Sequence, residues 1–327
     1  MAKSIKKQLK EKFDYTVDGL TDYVNEQNPD IVGKLTEGAL FMSRCNIMTG
    51  VKGAEEIKLF TDNLVLQTAS TCGWNASGGV TFTDKTITNK RLKFQEAYCN
   101  ETLNGKWTQL RNKVGANVQD LDNPFADVMI AGKVAELHTA IQRLLILGDT
   151  GSGDAQLVFI DGLTKKLKAD SNVVTASSDE TTIDATNGFD VLKTVARAIP
   201  SALQSNGVVT EVVCGLETAQ ACIDQIWNEK DFNAVLEFTT NEAGEMFFVL
   251  PTTSVTVRVL PELNGTEEVY ALPYQYISVA VDGDKDEDGI EMKYNETEEE
   301  LRVSSKFRIG IEYVMSEYFV KLELASA

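Results

Sequence analysis

The chain has 327 residues, with 31 Lys and Arg against 49 Asp and Glu, a single His and five Cys, and it carries a formal charge of −18. Its length and 43% hydrophobic content allow a sizeable core, whereas the acidic balance opposes a sequence-independent grip on nucleic acid, which needs Lys and Arg to displace counterions. No apolar run approaches the roughly 20 residues that cross a bilayer. The opening MAKSIKKQLKEK lacks the apolar stretch of a secretory signal, and the cysteines at 45, 72, 99, 214 and 222 contain no C-x-x-C pair; together these features point to a reduced, cytoplasmic compartment and structural thiols.

The first dozen residues hold five Lys and one Glu and form a distinct basic arm, in which Ile5, Leu9 and Phe13 recur at helical spacing. Between Glu55 and Phe94 two β-like stretches, KLFTDNLVLQTA and GVTFTDKTITNKRLKF, flank the turn-forming STCGWNASGG, which predicts a long hairpin. Val80 and Phe82 alternate with Thr81 and Thr83, but Asp84 to Arg91 is almost wholly polar, so the outer part of the hairpin has little with which to build its own core and should project. An isolated two-stranded ribbon is marginal in water, and a neighbouring subunit is its natural support.

A long helix is expected from Asn123-Pro124 to Gly148, with Phe125, Val128, Met129, Val134, Leu137, Ile141, Leu144 and Leu145 on one face. At 1.5 Å per residue it makes a rod of roughly 36 Å. The run GDTGSGD reads as a hinge, QLVFIDGL as a short strand, and Val174 to Asn187 as a polar connection. A helical region from Phe189 to Ser205 is divided by Pro200. VVTEVVC then predicts a buried strand, followed by a helix from Leu216 to Asn228 whose Leu216, Ala219, Ile223 and Trp227 share a face. The last 80 residues alternate apolar and polar, as in Val255, Val257, Val259 and in Phe307, Ile309, Ile311, Tyr313, and predict about five strands. Strands before and after a helical middle indicate an α+β fold.

Catalytic signals are thin. His138 lies inside the long helix, where a half-buried structural histidine is the simpler reading, and no serine elbow, zinc pair or phosphate loop occurs. GDTGSGD has the glycines of a phosphate cradle without its Lys. The acidic run Asp282 to Asp288 matches the first half of a calcium loop through Asp284, Asp286, Asp288 and Gly289. Asn295, however, stands where a bidentate Glu is required, so an exposed acidic turn is the reading preferred over an ion site. Tyr270, Tyr274 and Tyr276 sit among Glu267, Glu268 and Pro273, poor company for phosphates. The expectation is no enzyme activity and no catalytic, cofactor or metal residues.

In order, the basic arm, projecting hairpin, long helix, β-α middle and closing strands resemble the major capsid proteins of tailed bacteriophages, the Hong Kong 97-like fold. The passages TFTDKTITNKRLKFQEAYCNETLNGKW, QLVFIDGLTKKLKAD and EEVYALPYQYISVAVDGDKDEDGIEMKYNETEEELRVSSKFRIGIEYV carry the resemblance. It implies an N-terminal arm over 1–50, an extended loop over 51–98, a peripheral domain with the spine helix over 99–186 that regains strands at 290–327, and an axial domain over 187–289.

The implied task is architectural: self-assembly into hexamers and pentamers of an icosahedral or prolate shell that encloses double-stranded DNA without sequence-specific binding. Portal and scaffolding proteins, and in some cases decoration proteins, would be partners; assembly would take place in the host bacterial cytoplasm and the product would be the virion. The alternatives are an encapsulin-like shell around cargo enzymes, or a cytoplasmic divalent-ion-binding protein or enzyme. Some relatives form Lys–Asn cross-links; Lys85, Lys90 and Asn89 lie in the loop, but nothing in the sequence identifies a linkage.

Overall fold

A computed structural model describes residues 40–66, 78–99, 124–205, 207–228, 238–241, 244–251, 253, 255–282, 290–295, 297–298 and 300–325. The basic arm with Ile5, Leu9 and Phe13, the hairpin turn with Cys72, the Asn123 cap and the acidic run beyond Asp282 lie outside the described residues. In chain order the described part runs β1 (Asn46–Thr49), β2 (Ala54–Leu64), β3 (Gly78–Thr88), β4 (Lys90–Cys99), α1 (Pro124–Leu147), α2 (Leu163–Ala169), β5 (Val174–Ser178), α3 (Gly188–Ala198), α4 (Ser201–Ser205) and β6 (Glu211–Cys214). It continues with α5 (Leu216–Asn228), β7 (Thr239–Thr240), β8 (Met246–Val249), β9 (Thr256–Val259), β10 (Tyr270–Leu272), β11 (Ile277–Val281), β12 (Ile290–Asn295), β13 (Glu300–Tyr313) and β14 (Val320–Leu324).

These elements belong to two compact units. The described residues within Arg91–Ile141 and Val281–Ile309 form the first, and those within Leu40–Lys90, Gln142–Ala280 and Gly310–Ala327 form the second. In the first unit β12 pairs antiparallel with β13, from Ile290 opposite Ser305 to Asn295 opposite Glu300. Period-2 alternation sets the faces of β13: Leu301, Val303, Phe307 and Ile309 are buried, while Arg302 and Lys306 are exposed. Lys133 on α1 bridges Glu96 on β4 at 3.0 Å and Glu136 at 2.8 Å.

The second unit holds a seven-stranded mixed sheet in the order β5-β14-β10-β6-β9-β8-β7. Helices α3 and α5 pack on it, and Leu192, Val195, Val212, Cys214, Ala219, Cys222, Val257 and Val259 form the centre of one continuous core. Each Val or Leu side chain among them that is removed from water contributes about 1.5–3 kcal/mol. The two helices approach closely because Gly188 opens α3: a Cβ there would lie 2.6 Å from the backbone nitrogen of Cys222.

Several expectations hold. Helix α1 spans the anticipated residues, with Val134, Ile141, Leu144 and Leu145 buried; the side chains of Phe125, Val128 and Met129 lie outside the described ones. Pro200 separates α3 from α4. Others are corrected. QLVFIDGL is a turn leading into α2, where Leu163, Thr164 and Leu167 bury at helical spacing, and among the described residues no strand pairs with 156–162. The polar connection after Val174 contains β5, which becomes a strand by parallel pairing with β14. The second hairpin stretch is not one strand: Asn89 divides it into β3, which pairs with β2, and β4, which pairs with β13. The polar segment Asp84 to Arg91 is accordingly the ribbon's root, with Ile87 and Asn89 buried. Six strands rather than five begin in the last 80 residues. Trp227 does not share the buried face of α5 and is exposed: that face runs through Ala219, Cys222 and Ile226, and Trp227, next to Ile226 on the same turn, is directed away from it.

Candidate assembly surface

The ribbon β2–β3 is paired over eleven residues, from Ala54 opposite Thr88 to Leu64 opposite Gly78. Toward its outer end apolar side chains stand in solvent: Phe82 is 74% exposed, Leu66 89%, and Val80 and Val65 are about half exposed. Among the described residues the root finds a core, where Ile87 packs with Val51 and Ala280, flanked by Met48 and Ile57. Isolated apolar residues on a surface are unremarkable, but several together toward the outer end of a two-stranded ribbon mark a surface suited to being covered.

The root is fastened to the second unit by close and specific contacts. Gly310 on β13 lets the chain pass the root: a Cβ there would lie 2.3 Å from the Thr88 carbonyl oxygen and 2.9 Å from the Asn89 Cα. The Asn89 amide side chain donates to the Val51 carbonyl, and its backbone N–H donates to Gly53 O at 2.9 Å. Lys85 Nζ lies 3.4 Å from Glu312 Oε1 and 3.6 Å from the centre of the Tyr313 ring, while Lys166 holds the other oxygen of the same buried carboxylate at 2.6 Å. Asn89 is thus a buried anchor, Lys85 an ion-pair partner of its own subunit, and Lys90 an exposed residue at the start of β4. This geometry identifies no covalent linkage among the three.

A second anchor fixes the chain just before β1. The Glu211 carboxylate accepts a bidentate pair from Arg258, Nε at 2.7 Å and Nη2 at 2.8 Å, and Glu245 Oε2 accepts from Arg258 Nη1 at 2.9 Å and Arg44 Nη2 at 2.7 Å. Arg44 also reaches Glu211 at 3.5 Å and lies over the Tyr274 ring. Burial pushes the Tyr274 hydroxyl well above its ordinary range, and the hydrogen bond to Glu211 holds Arg258 firmly charged. The alternation expected for β9 therefore places a buried arginine, not an exposed one, at position 258. Only the charges brought alongside by β6 and β8 make that tolerable.

The other candidates resolve into structural roles. His138 is half-buried on α1 with a buried Nε2, and desolvation lowers its pKa. Cys45, Cys214 and Cys222 are buried free thiols; burial pushes Cys222 up to about 12 and the other two higher still. GDTGSGD is not a free hinge: Asp161 Oδ1 accepts from Thr150 N at 2.9 Å, Thr150 Oγ1 at 2.8 Å and Lys165 Nζ at 2.6 Å, and Lys165 also reaches Asp149 at 2.7 Å. Burial by itself would raise the Asp161 carboxyl, but those hydrogen bonds together hold it at about 2. Tyr270 and Tyr274 are buried and belong to packing. Asp282 is buried beside Arg308 at 3.3 Å, and the remainder of the acidic run lies outside the described residues. Among the described residues no group of three or more His, Cys, Asp or Glu is placed to hold a metal, and no helix is long and apolar enough to cross a membrane.

No protein-family model matches the sequence, and neither does any curated protein. Solved structures do match. A chain of the satellite phage P4 procapsid superposes with a TM-score of 0.58 at 10% identity, covering 90% of this chain and 99% of that one. The capsid of Myoviridae phage XM1 gives 0.54 at 14% identity, covering 87% and 91%. A virus-like particle from Pyrococcus furiosus gives 0.50 at 11% identity, covering 92% and 99%. Likeness over nearly the whole of each chain at so little identity is a likeness of fold, and the chain has the Hong Kong 97-like capsid fold of the tailed phages.

Proposed function

We propose that the chain is the structural subunit of a closed protein shell, the major capsid protein of a tailed phage, assembling through hexamers and pentamers around double-stranded DNA. The observation that carries this reading is the ribbon: it has a rigid root and an apolar outer end that its own subunit leaves uncovered. A neighbouring copy would supply the missing cover, at about 25 cal/mol for each Å2 of apolar surface it removes from water. In this reading residues 1–50 are the arm, 51–98 the extended loop, 99–186 with 290–327 the peripheral domain, and 187–289 the axial domain. The chain's role is architectural, with no catalytic group assigned. Its −18 charge would keep packaged DNA from adhering to the wall. Portal, scaffolding and decoration proteins are its natural partners, and the host bacterial cytoplasm its place of assembly.

Sedimentation and negative-stain microscopy of the purified chain test the proposal. Hexamers, pentamers or megadalton hollow particles are expected, and a monomer under every condition of salt and concentration would reject it. The likeness to the Pyrococcus furiosus particle keeps a second reading open, a shell around cargo proteins. The contents of particles from native cells separate the two: a nucleic-acid absorbance spectrum supports the capsid, bound enzymes the compartment.

A further inference from the structure

Four Asn-Gly pairs occur in the sequence, with Asn at 104, 187, 206 and 264, and of these Asn187 and Asn264 are among the described residues. Before a glycine, the side-chain amide of asparagine is open to attack by the next backbone nitrogen, because no side chain stands in the way. The structure places the two described pairs in opposite circumstances.

Asn187-Gly188 is locked. Asn187 is buried, its Oδ1 accepts from Asp184 N at 2.9 Å and its Nδ2 donates to the Thr182 carbonyl at 2.9 Å. The Gly188 N–H, which would have to make the attack, donates to the Asp184 carbonyl at 3.0 Å. Both ends of the amide and the nucleophile are held.

Asn264-Gly265 is open. Residues 263–266 form a type II turn, with Asn264 at φ −61 and ψ 139 and Gly265 at φ 75, closed by Thr266 N donating to Leu263 O at 3.1 Å. Both central residues are exposed, and a Cβ on Gly265 would meet nothing within 4 Å. Among the described residues nothing accepts from the Gly265 N–H or from the Asn264 amide nitrogen. Flipping the central peptide from the type II to the type I setting takes ψ of Asn264 from 139 through 180° to about −30, and the swing carries the Gly265 nitrogen past the Asn264 Cγ. The amide oxygen is already polarised: Asn264 Oδ1 accepts from Leu216 N at 2.8 Å, at the N-terminus of the 13-residue helix α5. A backbone donor and the positive end of a helix dipole thus face the atom that gathers negative charge when Cγ is attacked.

The geometry points to Asn264 as a site of self-modification. The Gly265 nitrogen bonds to Asn264 Cγ, the Cγ–Nδ2 bond breaks, and the proton given up by Gly265 N leaves with the amide nitrogen as ammonia. Water then opens the cyclic imide at either carbonyl and leaves aspartate or isoaspartate. Either product adds a negative charge at the start of α5. The aspartate keeps an acceptor there, where an anion is favoured. The isoaspartate lengthens the main chain by one atom in a turn with no slack on its inner side, since a Cβ on Gly215 would lie 2.5 Å from Leu263 O and 3.3 Å from the Asn264 Cα. The cap of α5 therefore changes as the protein ages, a property that does not depend on the shell reading.

Peptide mass spectrometry tests this on the folded wild-type chain, kept in mildly alkaline buffer made with water enriched in heavy oxygen and then digested in ordinary water. The label marks conversion that took place in the folded protein. Conversion of Asn264 at least tenfold faster than that of Asn187 is expected, the two rates converging once denaturant removes the turn and the buried contacts. No conversion at Asn264, or equal rates in the folded chain, would overturn the inference. Gly265→Ala, whose side chain crowds the attacking nitrogen, should slow conversion at least tenfold, with circular dichroism reporting the fold; conversion of the folded variant at the wild-type rate would also overturn it.

Discussion

The sheet-and-helix body of the second unit and the β2–β3 ribbon that grows from it are built from similar residues by opposite rules. In the body, strands from distant parts of the chain converge, two helices cover them, and Leu192, Val195, Cys214 and Val257 are sealed from water. The ribbon is made by neighbouring segments, and among the described residues its strands pair with each other and its core lies where Ile87 meets Val51 and Ala280. The body is complete alone, while the ribbon has a fixed direction and an unfinished surface. A subunit that must be stable before assembly and adhesive during it requires both.

Breaking the body should cost most. Arg258→Ala leaves Glu211 and Glu245 buried with only Arg44 between them, and should lower unfolding free energy by about 3–5 kcal/mol in denaturant titration. Gly310→Ala acts at the junction of the two regions. Its Cβ meets backbone rather than a movable side chain, so about 1–3 kcal/mol is expected, with hydrogen exchange accelerated first at Thr88 and Asn89.

Asp161→Asn should give a smaller, pH-dependent loss. A carboxyl held at about 2 contributes stability above its unfolded pKa of roughly 4 and loses it as pH falls toward 2. The melting temperatures of wild type and variant should differ above pH 4 and converge near pH 2; a constant gap would mean that the carboxylate is not the cause. Phe82→Ser should change the stability of the dispersed chain by no more than about 0.5 kcal/mol, because the ring is already in water. Particle yield should nevertheless fall severalfold. A variant that loses stability but assembles normally would reverse the comparison.

What the sequence displays is what local periodicity encodes. Helix α1 shows in the 3.6-residue recurrence of Val134, Leu137, Ile141 and Leu145, and β13 in the alternation of Phe307, Ile309 and Ile311. The hairpin is legible through its turn residues, but its polar root reads in the sequence as part of its outer reach. Asp84 to Arg91 reads as polar, and the burial of Asn89 is decided by Gly310, far along the chain. β5 is polar and is a strand only because β14 lies beside it. Arg258 sits in an ordinary strand alternation, and nothing local announces that Glu211 and Glu245 will meet it. Trp227 reads as part of the inward stripe of α5, but the stripe that packs runs through Ala219, Cys222 and Ile226 and leaves Trp227 outside.

Hydrogen exchange of the β2–β3 backbone amides, followed in dispersed and in assembled protein, tests most directly whether a neighbouring copy completes the ribbon. Fast exchange from Lys58 to Leu64 and from Gly78 to Thr83 in the dispersed chain, slowing by orders of magnitude in particles while the amides of β6 and α5 remain slow in both, is the predicted result. Equal protection of the ribbon in the solitary chain would contradict the account.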